Sequence, residues 1–143
     1  MTPVPGLGLR PQDSELLQTA AALLLARRIP GRHAVTAAFR TATGHIHTGL
    51  HLGAHLSKAS ICAEAIALGH AVMADETVEL VTGVAVHHHP DPPGWKIVTP
   101  CGLCRELLCD YAPGMEILLH RPGEPHSQRV PLASLLPDKF VRD

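Results

Sequence analysis

The chain is expected to fold as an α/β sandwich around a mixed sheet, and three observations point there. Apolar residues recur at helical spacing in several stretches, short β-branched runs fall between them, and Gly or Pro marks most of the boundaries. With 143 residues, 45% of them apolar, the chain has material for one compact core and not for two. Residues 13–143 are therefore expected to form a single domain. Before them lies an N-terminal arm, residues 1–12, rich in Pro and Gly and without apolar periodicity.

The elements follow in order. Asp13 or Ser14 can cap a helix over Glu15 to Ile29, which Pro30-Gly31 stops. His33 to Phe39 and His45 to Leu50 flank Thr43-Gly44, a turn signal between two strand-like runs, so a hairpin is expected. Leu52 to Ser60 is irregular and leads into Ile61-Cys62-Ala63-Glu64. The stretch from Ala65 to Ala74 is strongly helical, which puts Cys62 at a helix start. Val78 to Val86 reads as a strand and runs into His87-His88-His89-Pro90-Asp91-Pro92-Pro93-Gly94, whose composition demands a loop. Pro100 suits the first turn of a further helix, from Cys101 to about Tyr111. Pro113-Gly114 ends it, Met115 to His120 forms another strand, and Arg121 to Gln128 is a polar turn before a terminal segment, Val130 to Leu136.

Charge and composition narrow the function classes. Twelve basic against 13 acidic residues leave a net charge of -1, which offers no broad phosphate-binding surface and argues against a nucleic-acid partner. A small-molecule substrate fits better. The opening Met-Thr-Pro-Val-Pro lacks the basic-then-apolar pattern of a secretory signal, so reduced cysteines and a cytoplasmic protein are expected. Thr19 to Ala26, the most apolar run, stops at Arg27-Arg28 and is too short to span a bilayer.

The chemistry concentrates in two segments. Cys62-Ala63-Glu64 and Pro100-Cys101-Gly102-Leu103-Cys104 together supply three thiolates and one carboxylate. A ligand at position i and a carboxylate at i+2 cannot both coordinate comfortably from one helical turn. Glu64 is therefore expected beside a metal, moving protons. Three protein ligands with an open fourth position is the arrangement of catalytic Zn2+, here one per subunit, whereas structural zinc takes four protein ligands. Both halves of the site fall at helix starts, whose free N–H groups are expected to stabilise the thiolates and lower their pKa values. Cys109 could supply a fourth ligand, but it lies more than a turn beyond Cys104 along one helix and reads as a core residue. Buried or disulfide-bonded cysteines are the alternative to metal, and the ordered spacing around Glu64 argues against them.

A Cys-x-Glu followed by Pro-Cys-x-x-Cys matches the signature of zinc deaminases, and from about residue 14 onward the chain resembles the small cytidine deaminases. His33-Ala-Val-Thr-Ala-Ala38 is similar to that family's first strand, Thr48-Gly49 to its second, and Leu135-Leu-Pro-Asp-Lys-Phe140 to its C-terminal stretch. The resemblance implies a three-layer α/β/α sandwich with a mixed sheet, a homotetramer, and hydrolytic deamination of a pyrimidine nucleoside with release of ammonia. It also implies that the backbone of Ala63 and the carbonyl of Thr99 contact the base, with Phe140 approaching from a neighbouring subunit. Several positions depart from the pattern. The family holds the ribose hydroxyls with an Asn and, two residues on, a Glu; His51 and Gly53 stand there. His33 replaces an aromatic that lines the base pocket, and Ala65 replaces an Arg that helps neutralise the thiolates. Cytidine is therefore expected to be a poor substrate, and His51→Asn with Gly53→Glu to improve it if the backbone follows the family path.

Other readings stay open at this stage. Within the class, the substrate could be a modified cytosine nucleoside, as for blasticidin S deaminase, or another amino-heterocycle. A zinc-stabilised binding protein would have no need of Glu64, and a polynucleotide deaminase would call for a basic, aromatic-interleaved stripe that the sequence lacks. His87, His88 and His89 could be a solvated loop or a pocket rim, Trp95 a packing anchor or a stacking surface. Arg105 could sit on the surface or bond the thiolates.

Overall fold

The computed structural model describes residues 9–143. Residues 1–8 of the expected arm lie outside that range, and its last two residues are helical. Helix α1 spans Pro11–Arg27, starting earlier than expected because Pro11 fills a first-turn position that needs no N–H partner. Asp13 is not its cap. The Asp13 carboxylate is 2% exposed and accepts hydrogen bonds from Arg10 Nε at 2.9 Å and from Arg129 Nη1 at 3.2 Å, fastening α1 to the far end of the chain.

Strands β1 (Val35–Thr41) and β2 (Ile46–Leu50) form the expected hairpin, and Gly44 takes the positive φ of +91° that its turn requires. Helix α2 (Ala63–Ala74), β3 (Leu80–His88), β4 (Trp95–Val98), α3 (Gly102–Tyr111), β5 (Glu116–Leu119) and β6 (Gln128–Pro131) follow. The sheet order is β2-β1-β3-β5-β6. Because β1 covers one edge of β3, the other edge is shared. There β5 pairs in parallel at Thr82 and Gly83, and β4 pairs antiparallel from Ala85 to His88.

The expectation of a loop through His87–His89 is corrected at this point. Pairing with Trp95 and Lys96 carries β3 through His88 and leaves only residues 89–94 as the connection. Strands β4 and β6 were not foreseen. Each is four residues long and exists through its ladder to a neighbour rather than through a pattern of its own. Pro100 precedes the cap of α3 instead of opening its first turn.

Alternation along the strands builds two cores. Ala38, Val84, Val86 and Leu118 pack with Trp95 and Ile97 against α1, while Ala37, Phe39, Ala85, Ile117 and Leu119 pack against α2 and α3. The result is a three-layer α/β/α sandwich with a mixed sheet. Among the described residues no helix is long and apolar enough to cross a membrane.

Gly49 sets how closely α2 approaches β2. A Cβ there would run into the carbonyl of Ala63 and the backbone of Ala67, neither of which can yield without moving the helix. Gly49→Ala is therefore expected to destabilise the fold by about 3 kcal/mol, read as a lowered denaturation midpoint, and to displace Cys62 and Glu64. An unchanged midpoint would show that α2 is free to shift.

Candidate active site

Two helix starts converge on one spot. Cys62 caps α2 and Cys101 caps α3, both with extended backbone, while Glu64 and Cys104 project from the first turns of the two helices. A bridge between Leu52 and Ile61, with N–H···O bonds of 3.0 Å in both directions, holds the segment that enters α2. Cys62 Sγ lies 3.7 Å from Cys101 Sγ, and the sulfurs of Cys62, Cys101 and Cys104 all fall within 4.8 Å of one another. Zinc–sulfur bonds of about 2.3 Å place tetrahedral corners about 3.8 Å apart. The three free thiols therefore fit that ion in donor type and spacing. Cys109 packs half-buried against the core and does not join the cluster.

Glu64 stands over the sulfurs as a buried carboxylate, 7% exposed, with Oε2 accepting from the Cys104 thiol at 3.1 Å. Burial, and after it the negative charge of Glu64, push the Cys104 thiol far above its ordinary pKa. Burial also raises Cys62, aided by its contact with Cys101. Cys101 alone behaves as the helix starts suggested. Burial works against it, but the nearby N–H groups of Cys104 and Leu103 and the neighbouring thiols bring it below the ordinary value, although no full capping bond forms. The expectation that helix starts lower all three thiols thus fails for two of them, because burial and a carboxylate outweigh the partial charge of the helix end.

The remaining sequence candidates surround this centre unevenly. Ala63 is the buried first residue of α2, and Thr99 is exposed just before Pro100. His33 and His51 are half-buried and joined through the backbone: His33 Nδ1 donates to the His51 carbonyl at 2.8 Å, and Ala34 N–H donates to His51 Nδ1 at 3.1 Å. Phe140 is 78% exposed and stands beside Glu106, Asp110 and Lys139, away from the thiols of its own chain. Trp95 is a packing anchor in the α1 core. Arg105 reaches no sulfur. Its Nε donates to the Pro100 carbonyl at 2.8 Å and Nη1 to the Leu135 carbonyl at 2.9 Å, tying the C-terminal segment to the cysteine loop.

Gly53 corrects another expectation. A Cβ at this position would lie 2.7 Å from the Arg32 carbonyl, to which Gly53 N–H already donates, so a Glu cannot enter without backbone movement. The paired change His51→Asn and Gly53→Glu is therefore expected to strain the site. An open groove of about 730 Å3 lies beyond β4, lined by His89, Trp95, Thr99 and His120 among others. It touches neither Glu64 nor any of the three sulfurs. His87, weighed in the sequence as loop or pocket rim, lies on β3. The alternation of β3 turns Ala85 and then His87 toward α2 and α3.

No family model matches the chain. Blasticidin-S deaminase of Bacillus cereus is 36% identical over 135 residues, covering 92% of this chain and 94% of that protein. Solved cytidine deaminases superpose closely. That of Mycobacterium tuberculosis has a TM-score of 0.70 at 26% identity, covering 90% of this chain and 97% of its own. That of Mycobacterium leprae has a TM-score of 0.68 at 27% identity, covering 87% and 97%. Fold, thiol cluster and relatives together define a hydrolytic deaminase, an enzyme that breaks a C–N bond. The chain belongs to the cytidine deaminase family.

Proposed function

We propose that the protein is a zinc-dependent deaminase that exchanges the exocyclic amine of a cytosine nucleoside for oxygen and releases ammonia. The observation that carries this reading is the contact between Glu64 and Cys104, which sets one buried carboxylate against three unbridged thiols. Cys62, Cys101 and Cys104 would hold one zinc ion per subunit. Zinc in such a site supplies Lewis-acid activation of a water molecule.

The chain's own groups do the rest. Glu64 takes one proton from the attacking water and gives it to the ring nitrogen as the C–O bond forms, then takes the second proton from the added hydroxyl and gives it to the departing amine as the C–N bond breaks and the carbonyl remains. Its burial keeps those protons from exchanging with bulk water. The backbone of Ala63 and the carbonyl of Thr99 contact the base, His33 lines the base pocket, and His51 lines the sugar side. Phe140 reaches the site of a neighbouring subunit. Exposed Leu103, Leu107 and Tyr111 on the outer face of α3, with Phe140 nearby, support assembly into a homotetramer, since a lone chain leaves this apolar surface in water. We place the enzyme in the cytoplasm, where its four thiols stay reduced.

One observation favours a narrower reading. The identity to a blasticidin-S deaminase, together with His51 and Gly53 on the sugar side, favours a modified cytosine nucleoside over ordinary cytidine. The test is ammonia release by zinc-loaded protein of tetrameric sedimentation against cytidine, deoxycytidine, cytosine, blasticidin S and aminopurines. Turnover of a cytosine nucleoside with one zinc per subunit is expected. Turnover confined to aminopurines, or full activity in a monomer, would overturn the reading.

A further inference from the structure

One guanidinium holds both the cysteine loop and the C-terminal segment. Arg105 directly follows Cys104 on the first turn of α3, and its Nε donates back to the Pro100 carbonyl at 2.8 Å. That carbonyl stands one residue ahead of the cap. The helix takes up the Cys101 carbonyl, through Arg105 N–H at 2.9 Å, but among the described residues no backbone N–H meets that of Pro100. The Nε bond therefore closes a ring from Pro100 to Arg105 that contains two of the three clustered sulfurs, those of Cys101 and Cys104. Pro100 can hardly rotate about its own φ. With its carbonyl pinned as well, the direction in which Cys101 leaves the chain is set, and Thr99 is joined stiffly to the same ring.

The other arm of the guanidinium points to the end of the chain. Nη1 donates at 2.9 Å to the carbonyl of Leu135, in the segment after β6. Leu132 of that segment is buried, and Leu135 packs half-buried against the same core as α2 and α3. Further along, Lys139 Nζ lies 3.1 Å from Glu106 and 2.9 Å from Asp110, both on α3, and 3.0 Å from the Phe140 carbonyl. The C-terminal segment is thus fastened to α3 at two places. Of these, only Arg105 also holds the cysteine loop.

Building on the proposed deaminase activity and on the places it gives Thr99 and Phe140, we infer that Arg105 is a positioning residue for the reaction, whose two arms set the ligand loop of its own subunit and, through Leu135, the segment that carries Phe140 to a neighbour. Arg105 bonds no sulfur and acts through the two carbonyls alone. Planarity suits it to this. The N–H groups of one guanidinium keep a fixed separation, so the carbonyls they bond stay in register, whereas a Lys ammonium is a single point donor that can keep one carbonyl and must release the other.

Three variants separate the two arms. Zinc affinity, measured by competition with a chromogenic chelator and so without turnover, is expected to fall about tenfold in Arg105→Lys and further in Arg105→Met, as when an outer partner of a metal ligand is lost. With zinc saturating, KM for whichever cytosine nucleoside the wild type turns over should rise about tenfold in both, the scale of one hydrogen bond. Because Glu64 belongs to α2, kcat should stay nearly unchanged. Lys139→Met frees the C-terminal segment alone, and should raise KM while leaving zinc affinity at the wild-type value. Arg105→Lys and Lys139→Met serve if Arg105→Met does not fold. Zinc affinity or KM unchanged in the Arg105 variants overturns the inference, and so do losses that merely follow the unfolded fraction in circular dichroism of the same preparation. Zinc affinity that falls as far in Lys139→Met as in Arg105→Lys overturns it too, since the ligand loop would then hang on the whole segment and not on Arg105. A wild-type enzyme that releases no ammonia from any cytosine nucleoside defeats the deaminase reading separately, and the zinc measurements still decide whether Arg105 sets the loop.

Discussion

Replacing Glu64 by Gln is expected to lower kcat by roughly 10³- to 10⁴-fold, the upper part of what a positioned acid–base group contributes, while fold and metal content stay as they are. The substitution is nearly isosteric at a site only 7% exposed, so it opens no cavity. The Cys104 thiol, which donates to Glu64 Oε2 at 3.1 Å, would find the amide oxygen in the same place, and no buried donor is stranded. What disappears is the ability to accept a proton from water and hand it on. KM should change far less than kcat, because the ring nitrogen can still be met by the side-chain amide. Metal analysis and circular dichroism on the same preparation separate this from unfolding. A variant that keeps a tenth or more of the activity would move the proton transfer elsewhere.

The sequence made the site more legible than its surroundings, and the reason is distance along the chain. Cys62, Glu64, Cys101 and Cys104 lie in two short motifs at helix starts, where spacing alone dictates which side chains share a turn. Asp13 looked like a cap because caps are local. It accepts instead from Arg10, three residues before it, and from Arg129, 116 residues away, and no local rule points to the second. Strands β4 and β6 were invisible for a related cause: Trp95–Val98 and Gln128–Pro131 are too short to show a period and take their form from the strands they pair with. The thiol pKa values failed in the same manner. The helix start is legible in the sequence, but the burial of Cys104 and the carboxylate set against it belong to the packing of α2 on α3.

Removing one sulfur should separate the metal's role from that of the hydrogen bonds, and Cys104→Ser is the change to make. Serine keeps a donor within reach of Glu64 Oε2, so the buried carboxylate stays paired, but a neutral hydroxyl is a poor ligand for a borderline-soft ion. Zinc affinity is expected to fall by well over roughly 100-fold, since even the loss of an outer partner of a ligand costs 10- to 100-fold, and turnover should fall with it. Cys109→Ser is the control. That sulfur sits on the same helix, half-buried against the core and outside the cluster, so its loss should cost about 1 kcal/mol of stability and leave one zinc in place. Thermal denaturation supplies a readout independent of activity. A ligand that binds only the folded chain at a hundredfold excess over its Kd stabilises it by about 2.7 kcal/mol, so added zinc should raise the Tm of wild type and of Cys109→Ser but not of Cys104→Ser. Binding must also expel the protons that burial and Glu64 hold on Cys62 and Cys104, so zinc affinity should climb as pH rises. A Cys104→Ser protein that keeps its zinc, or a Cys109→Ser protein that loses it, would put the metal on a different set of sulfurs and remove Glu64 from its neighbourhood.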